Sequence, residues 1–247
     1  MRTEYFSSKP PRTLAHRGLT QGKFDENTER ALRNALEHGA EYLEIDIRAS
    51  SDGVAYVLHD VDLKRIAGLN RAVASMSATE LDGLTLNHGG APLRLSAALD
   101  LFPTAKFNID VKSVDAIEPV RSCILASKAE DRILITSFSD RRRLSAKREM
   151  SVATGSGWRT TLLARLTYRV RPLLGFWLRN TDALQIPVRF GFMRLDIPGF
   201  IAAVSALGVE VHYWVINDVR EAQRLIGLGA KGIVTDRADL ILPALAE

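Results

Sequence analysis

Tyr42-Leu43-Glu44-Ile45-Asp46-Ile47 and, further along, Lys106-Phe107-Asn108-Ile109-Asp110-Val111-Lys112 share one alternating pattern. A strand sends successive side chains to opposite faces, so Leu43, Ile45 and Ile47 lie on one side and Glu44 and Asp46 on the other. In the second stretch Ile109 and Val111 oppose Asn108, Asp110 and Lys112. Apolar residues turned toward covering helices, with polar residues turned inward near a strand end, suit a barrel whose site lies at its C-terminal mouth. Six further strand candidates flank these two: Thr13–Ala15, Arg132–Thr136, Ser151–Thr154, Ala183–Ile186, Val209–Val215 and Gly232–Thr235. Helix-period stretches fall between most of them, at Thr28–His38, Val114–Ser127, Ile197–Leu207 and Val219–Leu228. Gly39, Gly208 and Gly229 stand just past three of these, where helices commonly end. Eight strands with intervening helices in 247 residues predict an α/β fold, a (β/α)₈ TIM barrel. An open doubly wound sheet is the competitor, and a dinucleotide-binding version is disfavoured because no G-x-G-x-x-G follows the first strand. Residues 61–94, after His59-Asp60, carry no long apolar strand pattern and read as a small insertion with a short helix near Ala78–Leu84. No linker or repeat divides the chain, so residues 1–247 read as one domain.

Composition narrows the class of partner. Lys and Arg number 33 against 29 Asp and Glu, an excess of 33 − 29 = 4. So small an excess suits an anionic substrate or a membrane surface and is too weak to imply nucleic acid. The single cysteine, Cys123, forms no intrachain disulfide and is consistent with a reducing compartment. Met1 to Arg12 lacks the apolar core of a secretory signal, and no run reaches the roughly 20 apolar residues of a membrane span. The expected location is cytoplasmic.

Two carboxylates as close as Glu44 and Asp46 are costly unless a cation or proton lies between them. A hard divalent ion with oxygen ligands, Mg²⁺ or Ca²⁺, answers that cost, and Asp110 could be a third ligand. The plain alternative is pairing with arginines on a structural rim. Lys112 suits a phosphate contact, as does Arg17, whose planar fork matches phosphate oxygens. Gly18 would let the backbone approach closely or adopt positive φ. His16 and His59 each end a short strand candidate beside a charged residue, a placement suited to general acid–base work near neutral pH. His38 ends an amphipathic helix, His88 belongs to the insertion, and His212 reads as structural.

These residues also resemble a known family. Leu14-Ala15-His16-Arg17-Gly18, Glu26-Asn27-Thr28, Glu44-Ile45-Asp46, Asp52-Gly53-Val54 and His59-Asp60 follow in order the motifs of the glycerophosphodiester phosphodiesterases. The likeness continues through Asp110-Val111-Lys112, Thr136-Ser137-Phe138, Trp214-Val215-Ile216-Asn217 and Gly232-Ile233-Val234-Thr235-Asp236. It implies a TIM barrel with an insertion after the second strand. It implies that Glu44, Asp46 and Asp110 hold a divalent cation, that His16 and His59 are general acid and base, that Arg17 and Lys112 bind phosphate, and that Trp214 lines the pocket. It does not assign acid and base between the histidines, nor choose between water and a glycerol hydroxyl as the attacking oxygen. The family usually has glutamate where Asp110 stands, and often proline where Asp25 stands. Glu26 and Asn27 would shape the loop after the first strand, with helix capping as the alternative for Glu26.

The implied substrate is a glycerophosphodiester cleaved to glycerol 3-phosphate and an alcohol, with a lysophospholipid as alternative and a non-catalytic lipid- or phosphate-binding barrel as a third reading. One segment bears on that choice. From Ser151 to Thr181 there is no acidic residue, and residues 158–180 mix five arginines with many large apolar side chains. Pro172 should break any helix there. The segment reads either as barrel helices with solvated arginines or as an interfacial element touching lipid.

Overall fold

The computed structural model of the chain describes residues 4–246. Eight parallel strands form the barrel: β1 (Arg12–His16), β2 (Tyr42–Ala49), β3 (Lys106–Val111), β4 (Ile133–Thr136), β5 (Ala153–Thr154), β6 (Ala183–Ile186), β7 (Glu210–Tyr213) and β8 (Gly232–Thr235). Their order around the sheet follows the chain, with β8 paired to β1 and β1 to β2. Among the described residues no ladder joins β5 to β6, where the seam is closed by Asp182. Its amide donates to the Thr154 carbonyl at 2.8 Å, and its carboxylate accepts from the Thr154 amide at 2.8 Å. The predicted fifth strand is therefore shorter than Ser151–Thr154, and the seventh ends at Tyr213 rather than Val215.

The helical layer comprises α1 (Glu29–Glu37), α2 (Leu95–Leu101), α3 (Ile117–Ala126), α4 (Asp140–Lys147), α5 (Trp158–Thr167), α6 (Arg171–Leu178), α7 (Pro198–Ser205), α8 (Val219–Gly227) and α9 (Ala238–Ala246). Helix α1 starts where the Thr28 hydroxyl accepts from the Ala31 amide, so Thr28 and not Glu26 is its cap. Gly39, Gly208 and Gly229 all adopt positive φ beyond their helices. Pro172 opens α6 and separates it from α5, as its missing N–H dictates.

Alternation sorts the strands as their patterns predict. Leu43, Ile45, Ile47, Ile109 and Val111 are wholly buried outward, against Leu32 and Ala35 of α1 and the helices that follow. Inward, Leu14, Tyr42, Leu134, Ala183 and Val234 form an apolar layer packed on Tyr5 and Phe6. One step further along each strand the inward positions become polar: His16, Glu44, Asn108 and Gln185. That change of layer places the site. At roughly 25 cal/mol per Å² of apolar surface withdrawn from water, the two apolar clusters between the sheet and its helices, one along each half of the barrel, supply the main driving force for closing it.

Between β2 and β3 the chain makes a hairpin-like return at Ala55–Val57, antiparallel to β2, and then the insertion. The insertion has its own apolar cluster, including Leu63, Ile66, Val73, Met76 and Leu81. It contains the expected helix at Ala78–Asp82, capped by Ser77 and Glu80, and also two short antiparallel strands, Asp62–Leu63 and Leu69–Ala72. Buried Asp25 ties it to the loop after β1, accepting from the amides of His88 and Gly90 at 3.0 Å each. A second unforeseen hairpin, Arg189–Phe190 with Met193–Arg194, projects after β6. In α5, α6 and the turn between them, Ala164, Leu174 and Leu178 pack against the outside of the barrel, while Leu166, Val170, Leu173 and Phe176 face solvent. Among the described residues no helix is long and apolar enough to cross a membrane.

Gly18 turns the chain from β1 toward α1 with φ +85°, and a methyl there would lie 2.5 Å from the Ala31 carbonyl carbon. Both strained dihedral and backbone clash oppose any side chain. Gly18→Ala is expected to destabilise the fold by about 1–3 kcal/mol or more, read as a lower urea midpoint at unchanged slope. An unchanged midpoint would contradict this packing.

Candidate active site

Strand register brings the polar residues together. His16 on β1 stands beside Glu44 on β2, and on β3 Asn108 stands beside Glu44 and Asp110 beside Asp46. Lys112 follows the end of β3, and His59 follows the antiparallel return. Trp214 follows β7. All eight sequence-derived candidates, His16, Arg17, Glu44, Asp46, His59, Asp110, Lys112 and Trp214, line one cavity of ≈ 280 Å³ at the C-terminal mouth.

Asp46, 1% exposed, is the most enclosed of the acids. Its Oδ2 lies 3.0 Å from Arg17 Nε and accepts from Asn27 Nδ2 at 3.0 Å, while Oδ1 meets Lys112 Nζ at 2.7 Å. Burial alone would raise its pKa, but Lys112 and Arg17 outweigh burial and hold it below the usual carboxylate range. Lys112 also reaches Asp110 Oδ2 at 2.6 Å. One ammonium cannot neutralise two carboxylates, and burial keeps Asp110 above its ordinary value. Glu44 is pushed up to about 8, first by burial and then by the charge of Asp46.

Glu44 Oε2 and Asp110 Oδ1 are buried and have no hydrogen-bond partner. Hard oxygen donors left orphaned beside a third carboxylate fit a divalent cation, which would answer both the burial and the mutual repulsion. Among the described residues no three acidic or imidazole groups are already gathered as a metal cluster; Lys112 lies between Asp46 and Asp110 instead. Arg17 and Lys112, expected on phosphate, are thus both engaged by carboxylates around the site.

Each histidine is oriented through Nδ1. His16 Nδ1 donates to Asp236 Oδ1 at 2.6 Å, and Asn217 Nδ2 holds the other Asp236 oxygen at 2.8 Å. Burial lowers the His16 pKa, yet Asp236 and Glu44 together raise it above the ordinary value. His59 Nδ1 donates to Asp60 Oδ1 at 2.6 Å. With Nδ1 occupied, Nε2 is the nitrogen left for proton exchange in both rings.

A layer behind these contacts has no counterpart in the local sequence pattern. Arg65, from the insertion, binds Asp60 Oδ2 at 2.6 Å and Glu26 Oε1 at 2.6 Å. Glu26 in turn binds Arg17 Nη1 at 2.9 Å. One guanidinium therefore joins the carboxylate that orients His59 to the one that orients Arg17. Glu26 pairs with Arg17 and Arg65 rather than capping a helix, and Asn27, at φ +59°, is a direct donor to Asp46. His88 of the insertion pairs with Asp25 of the loop after β1, and His212, wholly buried, bonds Glu210 at 3.0 Å behind Gln185 of the cavity wall. Asp236 stands in the sequence only as the end of the Gly232–Asp236 motif, with no role attached, and Arg65 carries no periodic signal.

The Glu44 carboxyl has a folded pKa of about 8 against an ordinary 4.5. The unfolded chain therefore releases that proton first, and this group makes folded stability fall as pH rises between those values. In the metal-free protein, Glu44→Gln should flatten the decline in urea midpoint from pH 5 to about 8. A decline as steep as that of the unmodified chain would contradict the burial argument.

Comparison with known proteins agrees with this geometry. The profile of the glycerophosphoryl diester phosphodiesterase family matches residues 16–240. A Mycobacterium tuberculosis protein named "Probable glycerophosphodiester phosphodiesterase 2" is 35% identical over 236 residues, covering 94% of this chain and 89% of its own. A glycerophosphodiester phosphodiesterase of Bacillus altitudinis is 32% identical, covering 92% and 94%. A mouse lysophospholipase D is 27% identical, covering 92% and 79%. Among solved structures, a glycerophosphodiester phosphodiesterase from Agrobacterium tumefaciens superposes with TM-score 0.78 at 25% identity, covering 96% and 99%. Register, cavity and family profile converge: the chain belongs to the glycerophosphoryl diester phosphodiesterase family, whose members are phosphoric diester hydrolases.

Proposed function

We propose that the chain hydrolyses glycerophosphodiesters to glycerol 3-phosphate and an alcohol, using His16 and His59 as a general acid–base pair. The observation that carries this reading is the convergence of two carboxylate-oriented histidines, two cations and three buried acids on one cavity. Glu44, Asp46 and Asp110 would hold a divalent cation, Mg²⁺ or Ca²⁺, which supplies charge neutralisation at the phosphate when bound. Arg17 and Lys112, fixed by ion pairs to Asp46, direct their remaining N–H donors at phosphate oxygens. Nε2 of one histidine takes the proton of the attacking oxygen, and Nε2 of the other delivers a proton to the departing alkoxide. Asp236 and Asp60 keep those nitrogens aimed, as the carboxylate of a hydrolytic triad aims its imidazole. Trp214 walls the cavity, edge-on to Phe138 at 5.8 Å between ring centres.

A second reading concerns the substrate. Leu162, Ile186, Pro187, Phe190, Met193 and Leu195 make one side of the cavity apolar, which a glycerol and a small alcohol do not require. That wall suits an acyl chain, and the same chemistry on a lysophospholipid would be lysophospholipase D activity.

His16→Ala and His59→Ala are each expected to reduce glycerophosphocholine turnover by at least roughly a hundredfold, the scale of general acid–base loss. Near-normal turnover in either variant would remove that histidine from the mechanism. Run beside lysophosphatidylcholine, the same assay decides the substrate: a higher kcat/KM on the lipid supports the acyl reading, and a lower one ends it.

A further inference from the structure

The hairpin after β6 holds two phenylalanines largely exposed to solvent. Phe192 is 99% exposed and Phe190 55%, on either side of Gly191 at the turn. Two such rings in water forgo the stabilisation that a buried aromatic brings, and isolated exposed side chains would need no explanation if they stood alone. They do not stand alone. Trp158 at the start of α5 is 51% exposed and Phe138 is 58% exposed, and both line the cavity mouth together with Phe190. The hairpin is anchored rather than loose: Arg165 Nε of α5 donates to the Arg194 carbonyl at 3.0 Å, and Arg194 pairs with Asp196 at 2.7 Å.

Charge selects the occupant of this aromatic rim. Arg159 beside Trp158 and Arg189 beside Phe190 are exposed and enter no ion pair among the described residues. No acidic residue occurs from Ser151 to Thr181 to balance them. A second copy of the chain would bring arginines against arginines across a two-fold contact, which is unfavourable. An anionic lipid surface accepts both features, taking aromatic rings at headgroup depth and arginines on its phosphates.

We propose that the hairpin tip and the start of α5 dock the mouth of the barrel on an anionic bilayer. Phe190 and Trp158 belong at once to the rim and to the cavity wall, so a docked mouth opens directly onto the apolar side of the cavity. A substrate carrying an acyl chain then passes from bilayer to site along a continuous apolar path. The role given to the docked mouth rests on the phosphodiesterase reading; the docking itself does not.

The experiment is co-sedimentation of the full chain with vesicles of phosphatidylcholine containing 30% phosphatidylglycerol, or of phosphatidylcholine alone. The expected result is binding to the anionic vesicles, weakened at least tenfold by Phe192→Ser, weakened similarly by Arg159→Glu with Arg189→Glu, and reduced by salt. None of these three residues lines the cavity, so turnover of soluble glycerophosphocholine should stay unchanged in all variants. Absence of vesicle binding, binding indifferent to the substitutions, or equal binding to neutral vesicles would each overturn the proposal. So would self-association in solution that Phe192→Ser abolishes, which would make the rim a contact between copies. Turnover without vesicle binding defeats the docking alone; vesicle binding without turnover defeats the phosphodiesterase reading alone.

Discussion

The site is organised around a carboxylate withdrawn from water. Asp46 is 1% exposed, and a buried charge of that kind costs several kcal/mol unless donors replace its hydration. Three side chains do so from three places in the chain: Arg17 after β1 and Lys112 after β3 by opposite charge, and Asn27 in the loop after β1 by a hydrogen bond. Removing Arg17 or Lys112 breaks a buried ion pair, at a cost of about 3–5 kcal/mol; removing Asn27 loses a hydrogen bond to a charged group, at about 1.5–3 kcal/mol. Stability and function thus share the same contacts. The loop after β1 takes its unusual path, with Arg17 and Asn27 both at positive φ, because those two donors must converge on one acid.

From Asp46 the constraint spreads outward. Arg17, so held, meets Glu26; Glu26 meets Arg65; Arg65 meets Asp60; and Asp60 orients His59. The insertion therefore contributes to the site although none of its residues after Asp60 lines the cavity. Its buried tether through Asp25 to His88 and Gly90 fixes the geometry from which Arg65 reaches back. On the other side, Asn217 and Asp236 hold His16 from the loops after β7 and β8. The two histidines are thus supported independently, one by the insertion and one by the last strands of the barrel. Glu44 and Asp110 remain the electrostatically unfinished part, each with a buried oxygen lacking a donor.

The barrel is legible in the sequence because period-two alternation is a local signal and the helices end at glycines with positive φ. Tyr42–Ile47 and Lys106–Val111 show their inward acids without any knowledge of the fold. The hairpin at Arg189–Arg194 is not legible: its strands are two residues each, too short for a period to show. Nor is the closure by Asp182, which depends on a side chain bonding an amide 28 residues away. His16, Arg17 and His59 stand out because each sits at a strand end in charged company. Arg65 has no such company in sequence; its two partners are brought to it by folding. The ion pairs of Lys112 with Asp46 and Asp110 could be expected from shared faces, but the convergence of Arg17 and Asn27 on Asp46 alone could not, since it depends on the path of the loop after β1.

Cation-assisted phosphodiester cleavage by the buried acids and the two histidines is the proposal on which the site's other roles depend. The most direct measurement is glycerol 3-phosphate release from glycerophosphocholine, with Mg²⁺, Ca²⁺ or a chelator, for the unmodified chain and for Glu44→Ala. The expected result is release that requires one of the cations and is lost in the variant. Equal release in chelator, or release undiminished by Glu44→Ala, would contradict it.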